Sequence, residues 1–459
     1  MSSIFTILKD SQKQMEQYMA TKKYELTKEY FFHGEFWHQL DDNKGRFSAR
    51  IEYSPYHGLI LDYCISDSES PRTCEILYGV LNTGERCTLI GKFDFTQGNI
   101  HFDKGIIHTG RHGFPIMLFN DFYAPDSKIE YCDLSLHGLQ EFIHPHGFFT
   151  QLKHLEHPIF IAKGNHWTLQ LVNHVSFSVI GDDLLNIINC QNKAALENII
   201  HQLKKTKELY PDAFFSIRKE LVFYFRIKSS NDLGIEDHIS KCWDISGLFS
   251  ILLNKPTLPE EINIKFKGNG SKTPCLLTTG FEQRTIDLAL REIKHQLLPI
   301  NRKHINLGKI FCKWFKIAER YMPLTITYQY ETGFRTLHQA HTDIILFATQ
   351  LEAINKTIGG SKNEKYMKPI NEYASLFLIQ EIEMFFKKFN NKSIGENIAT
   401  LRNELAHVDR KKELMNILTI GDYVKIGNYL KTIVTSYLLS DLGINNIIIE
   451  KYQAQTIQE

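Results

Sequence analysis

From about residue 30 to 180, apolar and aromatic residues come in short runs broken by turn residues. In GRFSARIEYSPYHGLILDYCIS (45–66), Phe47, Ala49, Ile51 and Tyr53 alternate with other side chains, the chain turns at SPYHG, and Leu59, Leu61 and Tyr63 resume the alternation. Period-two patterning on both sides of a turn predicts a β-hairpin. CEILYGVLNTGERCTLIGKFDF repeats the form around Asn82-Thr83-Gly84, and GNIHFDKGIIHTG, FPIMLFNDFYAP, KIEYCDLSLHGL and HWTLQLVNHVSFSVIG add further strands. Strands at this spacing predict a sandwich or open barrel rather than a parallel α/β sheet.

Between 193 and 275 the pattern is mixed. KAALENIIHQLKKTKEL reads as an amphipathic helix, KELVFYFRIKS as a strand and DHISKCWDISGLFSILL as a helix. The polar stretch KFKGNGSKTP (265–274), with two glycines and a proline, reads as a linker. Beyond residue 278 the periodicity becomes helical, with helices expected near 281–298, 305–320, 331–357, 367–390, 394–412 and 421–440. Pro299, Pro323, Gly359-Gly360, Asn390-Asn391 and Gly443 mark their ends. Six helices on short connections predict a bundle. The expected class is α+β: a β-rich sandwich or barrel-like region over 1–192, a mixed α/β part and linker over 193–275, and an all-α bundle over 276–459.

Composition narrows the setting. A chain of 459 residues exceeds the usual size of one core, and 43% hydrophobic with 23% charged residues is ordinary for a globular protein. No apolar stretch reaches the roughly 18 residues that a membrane-spanning helix needs. MSSIFTILKDSQKQMEQYM lacks the basic, apolar, small-residue order of a signal peptide, so a cytoplasmic protein is expected. The eight cysteines (64, 74, 87, 132, 190, 242, 275, 312) form no C-x2-C pair and read as reduced thiols. A zinc site assembled from distant Cys and His stays open. With a net charge of +1 the molecule has no global pull on nucleic acid, so any polyanion site must be local. Residues 386–432 offer one, with nine Lys or Arg against five acids.

The sharpest chemistry lies in the helix expected over 394–412. Ser393 and Glu396 form a capping-box pattern, and Ile394, Ile398, Leu401, Leu405 and Val408 make one apolar stripe that should be buried. Arg402, Asn403 and His407 lie off that stripe, Asn403 and His407 one turn apart. Imidazole can move a proton near neutral pH, guanidinium can bind phosphate oxygens and developing charge, and an amide can orient either. RNA carries its own nucleophile in the ribose 2′-OH, so this trio needs no metal and no cofactor. Glu404 puts a negative charge beside this site. Arg335, His338 and His341 form a second short Arg/His cluster, which acts as a decoy for the first.

LRNELAH (401–407), late in a helical region and before a terminal helix, resembles the R-N-x-x-x-H signature of HEPN domains. Leu351-Glu352-Ala353 is similar to the acidic segment on an earlier HEPN helix. HGEFWHQL, GRFSARIEYSPYHGLILD, LYGVLNTGERCTLIG and YCDLSLHGLQEFI resemble the N-terminal region of the ApeA family of abortive-infection proteins, in which a β-rich region precedes a HEPN domain. The resemblance implies RNA cleavage during phage infection, a homodimer or higher oligomer joined through the HEPN domain, and latency until a phage-encoded trigger arrives. It assigns Arg402, Asn403 and His407 to catalysis and Glu352 to an accessory role. Lys387, Lys388, Arg410, Lys411 and Lys412 are candidates for RNA binding. Two other readings compete: a non-catalytic HEPN scaffold that binds RNA or a partner protein, and a ligand-binding β region with a structural helical tail.

Other features read more simply. His108, His112, His137, His144, His146 and His154 are dense but lack a metal motif, and Gly105–Gly113 is no Walker loop. Trp37, Phe36 and Phe223-Tyr224-Phe225 suit a core. Phe385-Phe386 beside Lys387-Lys388 reads as a helix end with a buried face and basic C-terminal charges.

Overall fold

The structure, a computed structural model, describes residues 23–39, 45–66, 73–94, 99–102, 106–124, 127–143, 157–179, 191–211, 216–292 and 297–458. Its first part is built from β1 (Tyr30–Trp37), β2 (Phe47–Ser54), β3 (Gly58–Ser66), β4 (Thr73–Leu81), β5 (Arg86–Asp94), β6 (Asn99–Phe102), β7 (Ile106–Phe114), β8 (Ile116–Phe119), β9 (Ile129–Leu136) and the short helix α1 (Leu139–Ile143). β10 (Phe160–Gly164), β11 (Trp167–Val179), α2 (Lys193–Leu209), β12 (Ser216–Ser229), α3 (Ile235–Leu253), β13 (Pro259–Phe266) and β14 (Thr273–Leu277) complete it. Among the described residues the 14 strands form one sheet in the order β10-β11-β12-β9-β13-β14-β8-β5-β4-β1-β2-β3-β7-β6, every pair antiparallel.

The alternation explains the register. Phe32, Gly34 and Phe36 of β1 face Ile51, Ala49 and Phe47 of β2, so one set of side chains is buried together. Gly79 leaves room for the Phe36 ring, whose atoms would lie 2.5 Å from an added Cβ. The sheet coils on itself in the barrel-like manner expected. β3 returns against β14, with the Leu59 N–H donating to Thr278 Oγ1 (3.0 Å), and β7 returns against β5, with His112 Nε2 donating to the Lys92 carbonyl (2.8 Å). The stretch 265–274, read as a linker, is instead the β13–β14 hairpin, turned by Gly268 at φ +85°.

Helix α3 covers one face of this sheet, with Cys242, Ile245, Phe249 and Leu252 wholly buried. The helical part follows: α4 (Gln283–Leu290), α5 (Leu307–Ile317), α6 (Met322–Gln329), α7 (Leu337–Thr357), α8 (Met367–Tyr373), α9 (Leu376–Lys387), α10 (Ile394–Ala406), α11 (Ile420–Asp441) and α12 (Asn446–Gln458). Pro323, expected to break the chain, sits in the first turn of the unexpected α6, where its missing N–H does no harm. The single helix expected over 367–390 is two, because Ser375 caps α9 through Leu378 N–H. Past Gly443 (φ +84°) the chain forms the further helix α12.

The two parts are joined by apolar and polar contacts. α5 lies along β10, the last strand at one side of the sheet: Phe160 stacks on Phe311 at 6.0 Å, and Gly164 accommodates Phe315. Deeper in, the Tyr452 hydroxyl donates to the Ile251 carbonyl of α3 (2.9 Å) and lies 3.2 Å from the Tyr328 hydroxyl, which meets Thr435 at 2.9 Å. Gln329 donates to the Trp243 carbonyl and to Ser246. Tyr452→Phe should lower stability by about 1–2 kcal/mol, read as a fall in the urea midpoint at unchanged slope.

Candidate active site

The cap on α10 forms as the sequence predicts: Ser393 Oγ accepts from the Glu396 N–H (3.3 Å), and Glu396 accepts from the Ser393 N–H (2.8 Å). Asn397, fully buried, accepts from the Asn390 side chain and donates to the Lys392 and Ser393 carbonyls, tying the preceding loop to the helix. Ile394, Ile398 and Leu401 are buried as expected and Leu405 is half-buried.

The expected C-terminal end does not hold. α10 stops at Ala406 rather than at 412, and Val408, read as the last member of the buried stripe, is 98% exposed. His407 is the C-cap residue in extended conformation (φ −126°, ψ 127°), not a helical residue. Only its N–H, donating to the Asn403 carbonyl at 3.0 Å, still follows the helix.

Glu404 supplies the physical reason. Its side chain is 2% exposed and points away from the Arg402 side of the helix, accepting from the backbone N–H groups of Glu413 (2.9 Å), Leu414 (3.2 Å) and Met415 (2.9 Å). The returning segment also brings Lys412 to the helix end, where its ammonium donates to the Glu404 and His407 carbonyls. Carbonyls that a longer helix would pair internally are thus met by Lys412, while Glu404 anchors the amides of the returning segment. The negative charge beside the site is spent inward, and the His407 ring is left exposed.

Arg402 is half-buried. Its Nη1 donates to Asn403 Oδ1 (3.3 Å), while its Nε is buried without a partner. Glu352, on α7, lies within electrostatic reach of Arg402 and accepts from Lys365 Nζ (3.1 Å) and from the Tyr366 hydroxyl. Burial pushes the Glu352 carboxyl up, but the Tyr366 and Lys365 hydrogen bonds and the Lys365 and Arg402 charges together hold it below the usual carboxylate range. Burial, then the Glu352 hydrogen bond, push the Tyr366 phenol up. Lys365 and Tyr366 were not legible as site residues, since neither stands in a motif.

A depressed carboxyl contributes stability above its unfolded value and loses it as pH falls through the folded one. Tyr366→Phe should therefore lower stability near neutral pH and make the loss below about pH 4.5 shallower than in wild type. Urea unfolding of both chains across that range measures it.

The basic candidates divide. Lys412 is committed to the helix end and Lys411 pairs with Glu413 (3.3 Å), which also takes Lys392 (3.2 Å). Exposed Lys387, Lys388 and Arg410 have no carboxylate partner among the described residues. Phe385 and Phe386 are buried. In the second Arg/His cluster, Arg335 is held by Glu331 (2.5 Å) and Asp343 (2.9 Å), which makes it structural.

Elsewhere, Trp37, Phe36, Phe223 and Phe225 are core residues. A concavity of about 690 Å³ over β1–β4 contains Arg50 and Asp62, which are already engaged with Glu52 and Arg111. Among the described residues no group of three or more His, Cys, Asp or Glu is placed to hold a metal. His144, His146, His154, Cys190 and Gly105 lie outside them. No helix among the described residues is long and apolar enough to cross a membrane.

Two families match this architecture: ApeA N-terminal domain 1 over residues 32–314 and Apea-like HEPN over residues 329–447. The chain belongs to the ApeA family. Comparisons with curated proteins and with solved structures gave no match. The HEPN match contains Glu352, Lys365, Tyr366, Arg402, Asn403 and His407 together. An ApeA-type sheet followed by a HEPN bundle gives the protein a role in antiphage defence.

Proposed function

We propose that this ApeA-family protein is a metal-independent endoribonuclease that cuts RNA after phage infection. The observation that carries the reading is the Arg402 guanidinium, paired weakly with Asn403 and holding a buried Nε without an acceptor among the described residues, on the helix whose C-cap, five residues further along, is the exposed His407. Such a guanidinium can receive a phosphate oxygen, and an exposed imidazole can exchange protons with substrate.

In the reaction the ribose 2′-oxygen attacks phosphorus and the bond to the 5′-oxygen breaks. His407 removes the 2′-OH proton or delivers a proton to the departing 5′-oxygen. Arg402 neutralises charge on the pentacoordinate phosphorus, and Asn403 orients the guanidinium that it already touches. One imidazole cannot serve as base and acid at once, which favours a homodimer with two copies of the site facing one substrate. Glu352 and Tyr366 hold the surroundings of Arg402. The products are a 2′,3′-cyclic phosphate and a 5′-hydroxyl. Because uncontrolled RNA cleavage kills the cell, the protein would act in the cytoplasm and stay latent until a phage-encoded component engages it.

The test is end-group analysis of RNA incubated with the full chain and phage lysate, with and without EDTA. Cyclic phosphate ends formed equally in both conditions are expected. Ends bearing 5′-phosphate, or cleavage abolished by EDTA, would overturn the mechanism. RNA that is bound yet never cut would favour the scaffold reading.

A further inference from the structure

The sheet carries a second feature that the helical site does not use. α3 covers one face of β12, β9 and β13, and the register fixes what the opposite face presents. Lys163 of β10 pairs with Thr168 of β11, Thr168 with Lys228 of β12, and Tyr131 of β9 with Lys265 of β13. Lys228 lies 5.8 Å from the Tyr131 ring, which completes one row across five strands: Lys163, Thr168, Lys228, Tyr131, Lys265. Cations thus recur about every 10 Å across the strands, with an aromatic ring among them.

The neighbouring row holds Gln170, Arg226, Asp133 and Asn263. The Asp133 carboxylate, 4% exposed, takes both Arg226 nitrogens (2.8 and 3.0 Å) and Lys272 (2.7 Å), and so locks the Arg226 guanidinium 3.9 Å over the Tyr131 ring. Lys272 lies 4.9 Å over Tyr224. Among the described residues, these two rows and the adjoining Lys272 set five cations against the single carboxylate of Asp133, in a molecule whose net charge is only +1; the next carboxylate on this face, Glu261, is taken by Lys23 at 3.6 Å. Lys163 and Lys228 have no carboxylate partner among the described residues, and Lys265 reaches only the Asn269 and Ser271 carbonyls, which leaves its charge unneutralised.

We propose that this face binds single-stranded RNA, with phosphates along the Lys163–Lys228–Lys265 row and bases against Tyr131, Tyr224 and the Arg226 plane. Interleaved cations and aromatic rings on an open sheet are what such a ligand requires: counterion release for the backbone and a flat partner for the unpaired base. A purely acidic protein would match the charge but gain nothing from the rings. The choice of RNA rests on the cleavage reading above, and the face would present or retain the strand that the HEPN site cuts.

The experiment uses the full chain carrying His407→Ala and measures anisotropy of a fluorescein-labelled RNA of about 20 nucleotides across a salt series. The double change Lys163→Glu with Lys228→Glu should weaken binding by about tenfold or more and flatten the salt dependence, at unchanged urea midpoint. Tyr131→Leu should weaken binding, and Tyr131→Phe should restore it. Binding indifferent to the two lysines would overturn the proposal. So would a poly-glutamate peptide that binds as tightly as RNA while Tyr131→Leu has no effect, which would mark an acidic protein as the occupant. Because binding is measured on a chain altered at His407, failure of the cleavage mechanism leaves this result standing, and the two ideas fail separately.

Discussion

Arg402→Ala and His407→Ala should each reduce RNA cleavage by about a hundred- to ten-thousandfold, the range lost with one proton-transfer or charge-stabilising group. Both should abolish phage protection while leaving folding intact. The His407 ring is exposed and outside the helix, and Arg402 gives up one weak side-chain hydrogen bond and the attraction of the nearby Glu352 carboxylate. Arg402→Lys should recover little, because an ammonium lacks the planar fork. RNA profiles from infected cells and urea midpoints of the purified chains check both halves. Protection that survives both alanine changes would remove this helix end from the chemistry.

The largest structural effect is expected at Glu404, which touches no substrate. Glu404→Ala removes the acceptor of three backbone N–H groups at once and should cost about 3 kcal/mol. Lys412 would lose its placement, the 407–415 segment would detach from the end of α10, and cleavage would fall with it. Hydrogen exchange at the amides of Glu413, Leu414 and Met415 reads this directly: protection should drop there before it drops in α11. Glu404→Gln, which keeps one acceptor, should fall between. Exchange unchanged at those three amides would show that the carboxylate is not the anchor.

Much of the fold could be read from the chain because period-two alternation and turn glycines are local signals. The hairpins at 47–66 and 73–94 and the cap at Ser393 depend on residues a few positions apart. The failures share the opposite cause. The early stop of α10 is set by a carboxylate reaching nine to eleven residues ahead, so continued periodicity through Val408 pointed the wrong way. α6 was hidden by Pro323, which ends a helix in its interior but starts one at its first turn. Residues 265–274 looked like a linker because turn composition does not say whether the next strand pairs back. Arg402, Asn403 and His407 stood out through their motif, whereas Lys365 and Tyr366 reach Glu352 of α7 from the segment just before α8, a contact between residues 13 and 14 positions apart.

The seating of α5 on β10 bears on how relatives in this family could exchange parts. A strand at the rim of a sheet offers its unpaired amides and carbonyls to any other chain, and here the Leu307–Ile317 helix packs Phe311 and Phe315 against the apolar face of that strand. The ApeA N-terminal match extends to residue 314, far past the last strand. The N-terminal family match therefore ends within this helix rather than at the end of the sheet. Recombination at 277 would strip the apolar cover from β10, and a crossover just beyond Ile317 would still part α3 from α6 and α12, so a relative's helices would fit only if they brought the equivalents of Gln329 and Tyr452.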